Sequence, residues 1–519
     1  MEFMASSKRP NILLIMADQL RADHLGFGGN DIVRTPNLDR LAARSLVFDK
    51  CYVANPICMP NRCSILTGRV PTAHRVIFND RSLPWGANTF VKSLAGAGYS
   101  TGLIGKAHFQ MGFSSDSYRP LPGAPAVTDP YPAGWDQLED IERYVENDEP
   151  LTDFYGFQNA EFSLGHGDMA AGHHYQWALK RGARPEDLLQ QLPYKDWPVK
   201  ERSDEWWQIY QPTISEELYS TTFVTERSID WLDAQSDDAP WFLQCSYPDP
   251  HHPFTPPGKW WRAYDADDMP LPASFDDPMD SQPGHLKLIK TFEQRDLWTQ
   301  MFGPTQAQLR HAMAAEFGMI EMIDEGIGNI IAALEANGAL DNTIILFTSD
   351  HGDMFGDHGL MLKAMMHYEA AIRPPLVIGG PGVTAGRTAS FASSLDLAQT
   401  ILDVAGLPEF DRMQGVSLAP VLEDAAAEVR DHVYIEEDMP IVEATGVLPY
   451  KTRTLVTKEG RVSHYSTGDS EVYDHAQDPD EFDNRATTAP QSGFVKEMNE
   501  KLIQKLMQYS DLARVEPIT

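Results

Sequence analysis

Apolar positions along the chain alternate between short continuous runs and longer stretches with helical spacing. The run NILLIMADQ (11–19) follows Pro10 and ends in polar residues, the pattern of a strand buried on both faces. TPNLDRLAARS (35–45) opens on Thr-Pro and spaces Leu38, Leu41 and Ala42 as one face of a helix. NTFVKSLAGAGYSTGLIGK predicts a helix, a glycine-rich turn and a strand. ELYSTTFVTERSIDWLDAQ predicts a helix and PWFLQCSY a buried strand. Residues 304–338 predict one long helix stopping at Gly338. NTIILFTSD and PPLVIGGPG follow as strands, and SLDLAQTILDVAG as a helix. This alternation predicts an α/β fold, a mostly parallel sheet between helices. Such sheets bind ligands beyond the carboxyl ends of their strands. Two of the runs deliver an acid there, Asp18 and Asp350.

From about residue 426 the texture changes. VYIEED, KTRTLVTKEG, RVSHYST and SEVYDHAQDPDEFDNRA are short strands with turn signals, and a helix follows over 493–508. The expected division is a catalytic domain over 1–425 and a small domain over 426–519, an antiparallel sheet plus one helix. Residues 150–215, rich in Trp, Tyr and charge, are expected to be an irregular insertion, either a substrate lid or an oligomer contact. Trp206 and Trp207 within it suit an aromatic wall for a cationic or aryl group, or an oligomer contact.

A chain of 519 residues exceeds one ordinary domain, and 42% hydrophobic with 10% aromatic residues supports large cores and excludes disorder. No apolar run reaches the roughly 18 residues of a membrane span. MEFMASSKRP lacks an apolar signal core, so the cytoplasm is the expected compartment. Lys and Arg number 42 against 75 Asp and Glu, a net charge of -33. That disfavours nucleic acid and anionic membranes as partners. It also repels anionic substrates at long range, so an anion site must be made locally. Cys51, Cys63 and Cys245 sit in apolar surroundings and are expected in the core. Cys58 is open to four roles: packing, a redox partner, a thiolate nucleophile, or the precursor of a modified side chain.

Asp18 with Gln19, and Asp350 with His351, place hard oxygen and nitrogen donors at two strand ends, a pattern that suits a divalent cation. Either Asp alone could simply cap a turn. Asp353, Asp357 and His358 are expected to form a polar loop. In NPICMPNRCSILTGR, Cys58 stands at a helix start with Pro60 close behind. Backbone N–H groups there favour an anion, and Arg62, one turn in, can pair with two oxygens. A phosphatase-type Cys-x5-Arg loop would need arginine at position 64, which is Ser64.

CMPNR followed by SILTGR resembles the Cys-x-Pro-x-Arg signature of the type I sulfatases of the alkaline phosphatase superfamily. PNILLIMADQLRADHLG, TPNLDRLAARSLVF, YSTGLIGKAHF, DPHHPF, SDHGDMFGDHGLMLK and EVYDHAQDPDEFDN resemble family blocks in family order. The resemblance implies an alkaline-phosphatase-like fold and hydrolysis of sulfate esters. It also implies a formylglycine nucleophile made from Cys58 by a separate formylglycine-generating enzyme. Asp18, Gln19, Asp350, His351 and the modified Cys58 would hold one divalent metal, Arg62 would polarise the nucleophile, and Lys106 would bind substrate oxygen. His108 would handle the formylglycine hydroxyl, while His251 and Lys363 would contact the ester and leaving group. Asn79 would bind a substrate oxygen, and His367 would pack or line the pocket. Asp-Gln and Asp-His replace the commoner Asp-Asp and Asp-Asn ligand pairs. This variant resembles choline-sulfatase-like proteins and phosphonate monoester hydrolases. Calcium is the usual family metal, and the histidine makes manganese or zinc alternatives. Three functions stay open: a sulfuric ester hydrolase, a phosphonate monoester or phosphodiester hydrolase, and a silent metal-binding protein should Cys58 stay unoxidised. The expected substrate is a small ester and the expected assembly a homodimer.

Overall fold

The computed structural model describes residues 9–111, 131, 134–188, 199–236, 238–291, 302–439 and 450–510. Nine strands form the main sheet, in the order Gly386–Ser393, Leu46–Tyr52, Leu376–Gly379, Thr343–Ser349, Asn11–Ala17, Trp241–Ser246, Ser100–Gly105, Asn159–Leu164 and Ala171–Gly172. The run from Thr343–Ser349 to Asn159–Leu164 is parallel throughout, and Leu376–Gly379 runs against both its neighbours. The central strand Asn11–Ala17 is buried at every position, which accounts for its unbroken apolar run.

Because side chains alternate across a strand, this run feeds two cores. Ile12, Leu14 and Met16 meet Met59, Cys63, Leu94 and Ile401 on one face. Leu13, Ile15 and Ala17 meet Leu38, Phe223, Phe317 and Ile320 on the other. The second face is covered by the 31-residue helix Gln306–Ala336, whose start is fixed by a capping box between Thr305 and Gln308. Gly338, at φ +66°, follows its end where the sequence places the stop. Cys51, Cys63 and Cys245 are buried thiols, as expected.

Four strands of the main sheet escaped the sequence pattern: Leu46–Tyr52, Gly386–Ser393, Ala171–Gly172 and Asn159–Leu164. The last corrects the picture of 150–215 as an irregular insertion, since it extends the main sheet and is followed by the helix His173–Lys180. Trp206 is no exposed wall; its ring is buried against Phe254 and His252.

The strands His432–Met439, Tyr450–Thr457, Gly460–Tyr465 and Ser470–Asp474 form a separate antiparallel sheet. Tyr434, Leu455, Val462 and Val472 pack on Val495, Met498 and Leu502 of the helix Gly493–Tyr509. Ala54, Val70 and Leu395 join the same cluster, which ties the small sheet to the main body. Among the described residues no helix is long and apolar enough to cross a membrane.

Register sets the chemistry. Ala17 lies opposite Ser349, and Gly105 opposite Ser246, so Asp18, Asp350 and Lys106 leave the sheet at one edge. Gly105 has φ +105°, and a Cβ there would lie 2.0 Å from the Ser246 carbonyl oxygen. That close approach lets the Lys106 N–H donate to the same carbonyl at 2.8 Å. Gly105→Ala is therefore expected to cost about 1–3 kcal/mol in backbone strain, with the clash added. The expected readout is a lower thermal midpoint and lower soluble yield than for Gly96→Ala, an open position with no atom within 4 Å.

Candidate active site

Cys58 is the first residue of the helix Cys58–Thr67, after Ile57 in extended conformation, and Pro60 falls in the first turn. Every residue of this helix is buried. Asn61 pins it: Oδ1 accepts from the Ala54 N–H at 3.0 Å and from Ser394 Oγ at 2.6 Å, while Nδ2 donates to the Asp350 carbonyl at 2.5 Å. The helix start is thereby docked against the strand ends that carry Asp18 and Asp350.

Donor atoms of Asp18, Cys58, Asp350 and His351 all lie within 4.8 Å of one another, and all four residues are buried. His351 Nδ1 is 2.8 Å from the Gly352 carbonyl, which can only accept, so Nδ1 carries the proton. Nε2 thus turns a lone pair toward Asp350 Oδ1 at 3.6 Å and Asp18 Oδ1 at 3.7 Å. Burial holds this imidazole deprotonated, its pKa pushed down to about 4. Three acceptors facing one point beside the Cys58 sulfur fit a cation, and a carbonyl accepting from the far ring nitrogen is the usual support of a histidine ligand. The donor set therefore fits a divalent metal.

Gln19 has φ +64°, and its N–H donates to Asp350 Oδ1 at 3.1 Å. Its side-chain Nε2 donates to Asp353 Oδ2 at 2.6 Å and lies 3.2 Å from His252 Nδ1. The amide oxygen is left facing inward and accepts from Lys363 Nζ at 2.6 Å. Lys363 Nζ also reaches Cys58 Sγ at 3.2 Å.

Arg62 is wholly buried below the cluster. Nε donates to Asp350 Oδ2 at 2.7 Å, and a terminal nitrogen lies 3.4 Å from Asp18 Oδ2. The other terminal nitrogen donates to the Lys106 carbonyl at 3.0 Å and to Ser246 Oγ at 2.9 Å. Its bonds cross-tie the two carboxylates and do not run to Cys58, the group it was expected to polarise. Lys106 Nζ contacts Asp18 Oδ2 and lies 2.5 Å from His166 Nε2. Burial would raise the Asp18 pKa, but Lys106, Lys363 and Arg62 outweigh it and hold the carboxyl well below its usual range. Asp18, His166 and His251 form a second group of converging donors, already filled by the Lys106 ammonium.

His108, at φ +56°, is held by its N–H to Glu139 Oε2 at 2.7 Å. Its Nδ1 is buried without a hydrogen-bond partner among the described residues. Burial first, then Lys106 and Arg62, hold its pKa well below the ordinary imidazole value. His251 stacks on His166 with ring centroids 3.7 Å apart, and its Nδ1 bonds the His252 carbonyl. Burial and His166 keep it neutral, so Nε2 is its free, unprotonated nitrogen. Asn79 Oδ1 accepts the Met59 N–H at 3.2 Å, at the same helix end as Cys58. His367 does not reach the cluster; it is buried between Glu437 and Thr454. Asp357 and His358 turn away to Arg21 and Asp277, as expected of a polar loop, whereas Asp353 joins the site by orienting Gln19.

Sequence reasoning missed His166, His252 and Asp353. His252 and Asp353 stood inside quoted motifs. His166 had no such signal, because its surroundings SLGHGDM carry no periodicity.

The Sulfatase family profile matches residues 10–407, and the chain belongs to that family. A second profile, N-sulphoglucosamine sulphohydrolase, C-terminal, matches residues 356–508. An arylsulfatase of Clostridium perfringens is 28% identical over 510 residues, covering 96% of this chain and 94% of its own. A choline-sulfatase of Rhizobium meliloti is 30% identical over 428 residues, covering 80% and 72%. The crystal structure of a phosphonate monoester hydrolase of Agrobacterium radiobacter matches with a TM-score of 0.77 at 27% identity, over 96% of each chain. The large, mostly parallel sheet with its appended antiparallel sheet is the alkaline-phosphatase-like architecture expected from the sequence.

Asp350→Asn removes one of the converging acceptors. It is expected to lower bound divalent metal, measured by elemental analysis of protein reconstituted with calcium, manganese or zinc. Undiminished stoichiometry and affinity would remove Asp350 from the ligand set.

Proposed function

We propose that the protein hydrolyses small sulfate esters through a formylglycine made from Cys58, with one divalent ion bound by Asp18, Gln19, Asp350, His351 and position 58. The carrying observation is the convergence of Asp18, Cys58, Asp350 and His351 inside a ring of Arg62, Lys106 and Lys363. Arg62, Lys106 and Lys363 against the carboxylates of Asp18 and Asp350 make this pocket locally cationic in a protein of net charge -33. A dication makes it more so, which suits an anionic ester.

A plain thiolate is a poor candidate here. In the metal-free site burial, then the Asp18 carboxylate, pushes the Cys58 thiol up to about 11. A hydrated aldehyde at the same position supplies one hydroxyl for attack and a second whose deprotonation releases sulfate without water attacking sulfur. A divalent ion, when bound, supplies Lewis-acid polarisation of the nucleophilic and substrate oxygens.

The protein's own residues do the rest. Arg62 ties Asp18 and Asp350 in place. Lys363 reaches position 58 and Lys106 reaches Asp18, and both bind substrate oxygens. His108 Nδ1, which has no hydrogen-bond partner among the described residues, accepts the proton from the second hydroxyl. His251 offers a lone pair at Nε2, so the Lys363 ammonium is the better source of charge or a proton for the leaving oxygen.

A second activity is favoured by the likeness to the Agrobacterium phosphonate monoester hydrolase. Sulfate monoesters, phosphonate monoesters and phosphodiesters all present a monoanionic tetrahedral centre, and the cation ring selects that charge rather than sulfur or phosphorus. Parallel rates on an aryl sulfate and an aryl phosphonate monoester rank the two.

Peptide mass spectrometry across 55–69 is expected to show an aldehyde at position 58 in active protein. Cys58→Ala is expected to abolish turnover, a loss of at least about a thousandfold, with the fold intact by circular dichroism. Near-normal turnover in that variant would sink the formylglycine mechanism. An unmodified thiol in inactive protein would point to the silent metal-binding alternative.

A further inference from the structure

The segment carrying Lys363 has an unusual backbone. Leu362, Ala364 and Met365 have φ of +68°, +70° and +62°. Non-glycine residues hold such angles only where their surroundings fix them. Two buried carboxylates do so here. Asp353 Oδ1 accepts the Leu362 N–H at 2.8 Å on one side. On the other, Glu437 of the strand His432–Met439 accepts the Met365 N–H at 2.9 and 3.0 Å through its two oxygens. Glu437 is wholly buried and belongs to the small sheet, 74 positions along the chain from Lys363.

His367 braces the same contact. Its Nε2 is 2.9 Å from Glu437 Oε2, and its Nδ1 is 2.7 Å from Thr454 Oγ1 on the next strand. Thr454 Oγ1 in turn meets Ser463 Oγ at 2.7 Å on the third strand. One arrangement satisfies every group: Nε2–H donates to Glu437, the Thr454 hydroxyl donates to Nδ1, and the Ser463 hydroxyl donates to Thr454. The small sheet thus grips the backbone two residues beyond Lys363, whose ammonium spans from Gln19 Oε1 to Cys58 Sγ. Were Met365 to relax to negative φ, the direction of the chain at Lys363 would change and the ammonium would leave position 58.

We infer that Glu437 is a positioning residue for hydrolysis, braced by His367, which fixes the loop so that Lys363 stands at position 58. The inference rests on the ester-hydrolase function proposed above for the role of Lys363, whereas the grip itself is independent of it.

The test compares Glu437→Ala, Glu437→Gln, Lys363→Ala and the double variant Lys363→Ala/Glu437→Ala, in the full metal-loaded chain. Substrates are aryl sulfates whose leaving phenols span a range of acidity. Glu437→Ala is expected to lower kcat about tenfold or more on the poorest leaving group and less on the best, steepening the dependence as Lys363→Ala does. In the Lys363→Ala background it is expected to add less than about twofold. Glu437→Gln, whose amide oxygen can still accept from Met365, is expected to stay within about threefold of the parent. Val472→Ala, in the small sheet's own core, controls for lost stability and is expected to leave the leaving-group dependence unchanged.

Hydrogen exchange over residues 361–368 reads the grip without catalysis: Glu437→Ala is expected to speed exchange about tenfold or more, and Val472→Ala is not. Multiplying effects in the double variant, or unchanged exchange, would overturn the inference. If Glu437→Ala fails to fold, His367→Ala carries the same two expectations. If the parent hydrolyses no aryl ester, the proposed function fails while exchange still decides the grip.

Discussion

Two carboxylates buried side by side repel one another, and Lys106, Lys363 and Arg62 let Asp18 and Asp350 share one place, Arg62 reaching both. Parallel strands in matched register bring both to the same edge, and burial removes the water that would otherwise screen them. Arg62 bonds one oxygen of Asp350 and approaches one of Asp18, which leaves the remaining oxygens to converge on the far side. Leaving a buried charge of this kind unpaired costs about 3–5 kcal/mol, a large share of a protein's net stability. The same residue therefore serves fold and site. It sits one turn into the helix that presents Cys58, so the helix cannot shift without disturbing both strand ends.

What was legible in the sequence follows this constraint. Asp18 and Asp350 could be found because an unbroken apolar run must end in polar residues where the sheet ends. Cys58 and Arg62 could be paired because four residues make one helical turn. Lys106, His108, His251 and Lys363 came through family resemblance, since nothing in their local spacing separates them from surface lysines and loop histidines. The strand Asn159–Leu164 was hidden because NAEFSL carries Glu161, which pairs with Arg227 instead of marking a loop. His166 was hidden with it. His367, left open between packing and lining the pocket, is buried between Glu437 and Thr454, because positive φ at Ala364 and Met365 turns the chain between it and Lys363. Trp206 was misplaced because an aromatic-rich insertion turned out to fold into the core.

Around the cluster the imidazoles of His108, His166, His251 and His351 are all held neutral by burial, with Lys106 or Lys363 adding to the effect. A pocket whose bases are kept uncharged and whose lysines keep company with them is prepared to receive negative charge. The acidic surface imposes the opposite preference at long range. Discrimination of this sort operates at contact distance, after encounter.

The Glu437 contact bears on how such chains can be rearranged in evolution. The small sheet and its helix grip a strained loop of the main body through one main-chain N–H. Recombination that swapped the tail for one lacking an acid at that place would preserve both folds and still unsettle the chemistry. Inheritance of the two parts is thereby coupled by a hydrogen bond as well as by the hydrophobic surface they share.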